Sequence, residues 1–429
     1  MSVKMCSGLM TLAILGACGG GAEVEERERA SLRTVGSGCG QNDSGQLVSH
    51  ELVASYTKAQ LQAYFDEYVQ INTEFGFITV PIPVDIDYGA DTYKITYCTL
   101  DADLANEPGG RRITAATGNL TVPRKSGPLQ VVLYTHGTSV SYYDAPSNPS
   151  TLDSFDGPAA TSIYAGGGFV LVAPDYIGLG GSTLVPHRHL HAQTEASSTV
   201  DMWRASKKAM NLLSVNRGSK LFLMGFSAGG HATFAALRQL QSEGVSVTAV
   251  GATGSVLDPE AFFRYALAVT DPGTYFPLYG TYPIVAYDKI YGIYASTADA
   301  FRPAYAPIVN DLFNMQVFFD DVNASLGLTM KLTLKQAFYS DLKTNPRSEM
   351  RVRLRQNAVD EWHIDPGTPI REYHSRDDAE VAYDDTVASI DKLRARGASI
   401  TVKDAPAGYS HYDTWYQAMP KTVTWFRSF

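Results

Sequence analysis

The feature that most constrains this chain is an apolar run, Leu221-Phe222-Leu223-Met224, that passes directly into Gly225-Phe226-Ser227-Ala228-Gly229 and then into a helical pattern over residues 228–241. A strand that becomes a helix within one residue strains that residue's backbone, and only small neighbours let adjacent segments pass closely enough. The G-x-S-x-G pentapeptide alone means little in 429 residues that include 37 glycines. Its flanks give it meaning. They hold the Ser227 hydroxyl at the C-terminal end of a strand, where open α/β sheets bind ligands. They also set it at a helix N-terminus, whose unpaired N–H groups and dipole favour negative charge.

The surrounding pattern alternates in the same way. Residues 47–69 read as an amphipathic helix. Strand-like runs follow at 93–98, 113–122, 129–135 and 169–173, and Val131-Val132-Leu133 has the continuous apolarity of a strand buried on both faces. Helix at 195–213, strand at 221–224, helix at 228–241 and strand at 245–250 come next. The rhythm resumes with strand 370–374, helix 384–396, strand 400–403 and helix 413–426. Strands alternating with helices predict a mostly parallel central sheet flanked by helices.

Residues 257–365 break the rhythm. They are crowded with rings, among them Phe262, Phe263, Tyr275, Phe276, Tyr279, Tyr282 and Tyr287. Helical patterns run through 287–294, 307–319 and 333–341, with Pro307 suited to a first turn. The interval is expected to be a helical cap inserted into a core formed by residues 46–256 and 366–429. Most of its aromatics should form the cap's own core, and a few should line an apolar pocket.

The N-terminus reads differently. Lys4 precedes a short apolar stretch that ends in Leu15-Gly16-Ala17-Cys18, far below the roughly 20 residues that span a bilayer. Residues 1–18 therefore read as a signal peptide of lipoprotein type, with Cys18 as the lipidated residue and membrane association through that anchor. Cleavage near Ala22 is the alternative. Residues 19–45 form a charged, Gly- and Ser-containing tether. Cys39 and Cys98 lie beyond the signal and can pair in an oxidising compartment, or remain free thiols. The net charge of −9, with only 18% charged residues, argues against a nucleic-acid partner.

A serine hydroxyl needs a base to remove its proton. Around a strand–serine–helix turn of this kind the partners follow in the order serine, acid, histidine. Of His231, His363, His374 and His411, only His411 lies in a loop after the last strand, behind Ala405-Pro406-Ala407-Gly408-Tyr409-Ser410. The acid should follow strand 370–374. Asp377 and Asp378 both do, and the spacing in Ser375-Arg376-Asp377-Asp378-Ala379-Glu380-Val381-Ala382 fits Asp378 better against a G-x-x-D-x-x-V-P pattern, with Ser375 and Ala382 as departures. Oxyanion donors are expected from the N–H groups of Ala228 and Thr138, the latter after Gly137. His187, His189 and His191 alternate as metal ligands on a strand would, but Pro186 and the helix that follows make the segment a loop. Arg347, Arg351, Arg353 and Arg355 read as a solvated charged face.

Three blocks carry a resemblance: His136-Gly137-Thr138, Ala173-Pro174-Asp175-Tyr176-Ile177-Gly178-Leu179-Gly180, and the Ser227 turn followed by a long cap. Over residues 93–429 the chain resembles the α/β-hydrolase family, and more narrowly secreted bacterial lipases and esterases. The resemblance implies the α/β-hydrolase fold and hydrolysis of small-molecule or lipid carboxylic esters through an acyl-enzyme. It implies no metal or organic cofactor. A serine peptidase on the same fold and a non-catalytic surface-binding protein are the alternatives.

Overall fold

The computed structural model describes residues 38–40, 42–82, 84–102, 112–148, 156–182 and 184–429. The signal peptide, Cys18 and nearly all of the tether lie outside the described residues. Among the described residues, nine strands form one sheet in the order β1-β2-β3-β5-β4-β6-β7-β8-β9. These are β1 Leu47–Tyr56, β2 Ala90–Asp101, β3 Arg112–Pro123, β4 Leu129–Thr135, β5 Val170–Pro174, β6 Arg217–Phe226, β7 Ala249–Thr253, β8 Ile370–His374 and β9 Ile400–Asp404. The first three strands and β5 pair antiparallel; β5, β4, β6, β7, β8 and β9 pair parallel.

Why the central strands read as unbroken apolar runs follows from their faces. Successive side chains point to opposite sides of a strand, and here both sides are covered. Val131, Leu133, Leu221 and Leu223 pack under α2 (Ala192–Leu212) and α3 (Ala228–Ser242). Their neighbours Val132, Tyr134, Phe222 and Met224 pack against Phe65, Trp415, Tyr416 and Phe426. The last four belong to α1 (Lys58–Glu74) and to the C-terminal helix His411–Arg427.

Residues 47–69 are not one helix. The first ten form β1, an edge strand whose side chains are mostly solvent-exposed, so it lacks the alternation that marks a half-buried strand. Thr57 then starts α1 with a capping box: its hydroxyl accepts the Gln60 N–H at 3.2 Å, and its own N–H donates to Gln60 Oε1 at 2.9 Å. Cys39 and Cys98 are disulfide-bonded, which ties the segment before β1 to β2. The strand expected at 245–250 begins later, at Ala249, where it pairs with Phe222.

Between β7 and β8 the chain is helical and builds a separate aromatic core that includes Phe262, Phe276, Tyr279, Tyr282 and Tyr287. Its main helices are α4 (Pro259–Ala268) and α5 (Phe276–Tyr291). The helix expected at 307–319 is broken into Val309–Leu312 and Phe319–Ala324. Between them the Asn314 side chain accepts the Gln316 N–H at 2.9 Å, Met315 takes φ 72°, and the chain turns to bridge Ser141. Nor are the arginines simply a solvated face. Arg351 is buried, and its Nε donates to Glu260 at 2.7 Å. No helix among the described residues is long and apolar enough to cross a membrane.

Candidate active site

Ser227 joins β6 to α3 with φ 57° and ψ −121°, a conformation that L residues rarely adopt. The turn is tied down on several sides. The Ser227 N–H donates to Thr253 O at 2.8 Å, and its carbonyl accepts from Gly230 and Val256. Thr135, at the end of β4, donates from its hydroxyl to Gly229 O at 2.7 Å and meets the Thr233 hydroxyl at 2.5 Å. A Cβ on Gly229 would run into the carbonyl oxygens of Thr135 and His136, so glycine is required there for close approach.

His411 is the first residue of the C-terminal helix, α7 once Tyr383–Ala395 is counted as α6, and so does not sit in a loop. Ser410 caps that helix and pairs reciprocally with Asp413, whose carboxylate also takes the Thr79 N–H and hydroxyl at 2.8 Å each. The imidazole is buried beside Phe226, with ring centroids 4.7 Å apart, and lies against Gly254, which has φ 55°. A side chain at position 254 would occupy the imidazole's place. His411 Nδ1 is 2.6 Å from Asp378 Oδ2, while its Nε2 is buried without a hydrogen-bond partner among the described residues.

Asp378 follows β8 and is buried. Burial opposes its ionisation, but the His411 charge and hydrogen bonds from His374 and His411 hold its carboxyl well below the usual carboxylate range. For His411 the same contest ends the other way. Burial favours the neutral ring, and the Asp378 charge and hydrogen bond outweigh it and raise the imidazole pKa. Asp377 faces away, exposed, and accepts the Gly408 N–H at 2.7 Å.

The loop after β4 completes the surroundings. Gly137 N–H donates to the buried Asp156 carboxylate at 2.8 Å, and Tyr134 donates to the same oxygen at 3.0 Å. Thr138 is the next residue. Among the described residues its N–H and that of Ala228 have no protein acceptor. His136 is turned away and packs on Tyr176 with ring centroids 4.3 Å apart.

Ser227, Thr138 and His411 line one cavity of about 190 Å³ together with Phe77, Phe226, Tyr279, Phe318, Phe319 and Tyr412. Asp144, Asp320 and Glu380 complete its wall. Burial pushes the Glu380 carboxyl above its ordinary range, and the hydroxyls of Tyr279 (2.8 Å) and Tyr412 (3.3 Å) donate to it. Sequence reasoning did not find Asp156, Gly254 or Glu380. Their partners lie far along the chain, and no short motif marks them.

His374 lies beside Asp378, its Nε2 3.3 Å from Oδ2, whereas His231, His187 and His189 lie elsewhere. His231 Nδ1 meets Glu195 at 2.5 Å, and its Nε2 meets Asn357 O at 2.8 Å. His187 Nδ1 pairs with Ile177 O at 2.8 Å, and His189 stacks on Tyr282. Among the described residues no group of three or more His, Cys, Asp or Glu side chains could hold a metal ion.

The family model of secretory lipases matches residues 161–255, a span that includes the Ser227 turn. No curated protein sequence matches the chain significantly. Among solved structures, the rice cell wall degrading esterase LipA from Xanthomonas oryzae is 24% identical with a TM-score of 0.75, over 90% of this chain and 98% of that one. A ligand-bound form of that esterase is 25% identical with a TM-score of 0.74, over the same shares. Candida antarctica lipase A in its closed state is 16% identical with a TM-score of 0.62, over 86% of this chain and 78% of that one. The chain therefore has the α/β-hydrolase fold and is similar to secretory lipases and bacterial esterases.

Proposed function

We propose that the chain is a serine hydrolase of carboxylic esters, with Ser227 as nucleophile, His411 as general base and Asp378 as the acid that orients it. The observation that carries this reading is the cavity itself. It holds a serine on a strained strand-to-helix turn and a buried imidazole whose Nδ1 is bound to a carboxylate and whose Nε2 has no partner among the described residues. In this mechanism His411 Nε2 takes the Ser227 proton as Oγ attacks the ester carbonyl. The negative oxygen of the tetrahedral intermediate accepts the N–H groups of Thr138 and Ala228, each worth on the order of 3–4 kcal/mol in such sites. Collapse expels the alcohol, which takes the proton from His411. Water then attacks the acyl-enzyme by the same route, releasing the acid and restoring Ser227.

The aromatic wall favours an apolar acyl chain. The test is turnover of p-nitrophenyl esters and labelling by a fluorophosphonate probe, both expected to vanish in Ser227→Ala. Full activity in that variant would sink the reading.

An exported chain anchored through Cys18 is part of the same proposal. The Cys39–Cys98 disulfide supports an oxidising compartment. Incorporation of labelled palmitate into the wild type, and none into Cys18→Ala, is the expected result.

A further inference from the structure

We infer that the cavity selects substrates by charge: it accepts esters whose non-reacting end is cationic or neutral and turns away those whose end is anionic. The inference rests on the ester-hydrolase reading above and names the substrate class that reading leaves open.

Among the described residues, three carboxylic acids line the cavity and no lysine or arginine does. They come from three separate parts of the fold. Asp144 ends the short helical turn Tyr142–Asp144 after β4, Asp320 lies on the cap helix Phe319–Ala324, and Glu380 sits in the loop after β8 that carries Asp378. A substrate seated over Ser227 thus meets acidic groups from the core, the cap and the acid loop together. Glu380 is held by the hydroxyls of Tyr279 and Tyr412, and Asp320 Oδ1 by the hydroxyl of Tyr275 at 2.9 Å. These donors are neutral, so they orient the carboxyl groups without bringing a positive charge into the wall. The same cavity is lined by Ser227 and by His411, whose Nε2 is buried without a partner among the described residues, so the acidic groups and the reacting pair share one space.

A cleft lined by one sign of charge, with apolar walls of low dielectric constant, focuses its field on whatever enters. An anionic end would meet carboxyl groups of like charge, Asp320 and Glu380 foremost. A cationic end would meet the same groups as counter-charges. The same field favours departure of the acid product, which ionises once water has released it from Ser227.

The experiment uses three p-nitrophenyl esters of equal acyl length, ended by a methyl, a trimethylammonium or a carboxylate group, and compares kcat/KM. Cationic should exceed neutral and neutral exceed anionic, with a cationic-to-anionic ratio of about tenfold or more, falling at high ionic strength. Glu380→Gln and Asp320→Asn should each shrink that ratio, and the double variant should shrink it further. The wild-type ratio carries the test even where a variant folds poorly. A wild-type ratio near one, or a ratio unmoved by both substitutions, overturns charge selection and leaves the ester-hydrolase reading standing. A chain that cleaves none of the three esters overturns that reading, and this inference falls with it.

Discussion

Asp378 divides its two oxygens between His411 and its own loop: Oδ2 lies 2.6 Å from His411 Nδ1, and Oδ1 accepts the N–H groups of Glu380 and Val381 at 2.9 Å each. The loop contacts fix the carboxylate before it meets the imidazole, so the ring's orientation is inherited from the backbone. Asp378→Asn should keep the loop's hydrogen bonds to Oδ1 while placing an amide where an acceptor is needed. In a serine triad of another protein that change costs about 10⁴-fold in kcat, and a loss of that order is expected here on p-nitrophenyl esters. Asp377→Asn, on the exposed side of the same loop, should lose no more than a few-fold. Equal losses in the two variants would show that the acid has been misassigned.

The pH profile should carry the same pair. The base must be neutral to take a proton, and Asp378 stabilises the charged imidazole against the cost of burial. His411 therefore stays protonated to a higher pH than free histidine. The acid limb of kcat/KM should fall above the ordinary histidine value of about 6.5. In Asp378→Asn the residual activity should show that limb moved downward, since the stabilising charge is gone. An acid limb at or below the free-histidine value in the wild type would contradict the arrangement.

His374 is a second imidazole on Asp378, with its Nε2 3.3 Å from Oδ2 and its Nδ1 3.6 Å from Glu372. Burial disfavours its charge, but the Asp378 and Glu372 carboxylates close to the ring outweigh that and raise its pKa to about 10. A group whose folded value is raised stabilises the fold fully below its unfolded value and loses that contribution as pH rises through the folded one. The thermal stability of the wild type should therefore fall between about pH 6.5 and 10. His374→Gln should be less stable at neutral pH and flatter across that window. An unchanged slope in the variant would mean that other groups set the alkaline limit.

These pairings also show what could be read from the chain alone. The Ser227 turn was legible because strand, pentapeptide and helix are contiguous, and each leaves a local signature. His411 was legible by elimination, though its place on the first turn of a helix was not. Strand β1 was misread because an edge strand with exposed side chains lacks period-two alternation, and its identity comes from pairing with β2. The capping box at Thr57 and Gln60 was the available clue that a helix begins there and not at Leu47. The break at Asn314 and Met315 depends on a bridge to Ser141, more than a hundred residues away. Asp156 and Glu380 act on groups brought to them by the fold, so only the assembled structure gives them a role.

The Cys39–Cys98 bond closes a loop of 59 residues around β1 and α1. Loop-closure entropy alone assigns such a bond about 4 kcal/mol relative to the reduced chain. Reduction, or the Cys39→Ser Cys98→Ser pair of substitutions, should lower Tm by several degrees. The core sheet from β4 to β9 does not contain the bond, so esterase activity at low temperature should persist. Loss of activity before any loss of stability would place the disulfide's influence at the site itself.

Gly229 tests how closely the turn must pack to work. Its carbonyl receives the Thr135 hydroxyl at 2.7 Å, and a Cβ there would strike the Thr135 and His136 carbonyls. Alanine can be accommodated only if the start of α3 moves away from the end of β4. Overpacking of this kind costs about 1–3 kcal/mol, which a fold of this size should survive. The same displacement carries the Ala228 N–H away from Thr138 and alters the approach of Ser227 to His411, and misplacement by about 1 Å costs on the order of 100-fold in rate. Gly229→Ala is therefore expected to remain folded by circular dichroism, to unfold a few degrees lower, and to lose about 100-fold or more in kcat/KM. Slower fluorophosphonate labelling of Ser227 should accompany that loss. A variant with reduced Tm and undiminished labelling would show that the contact between β4 and α3 supports the fold without setting the geometry of attack.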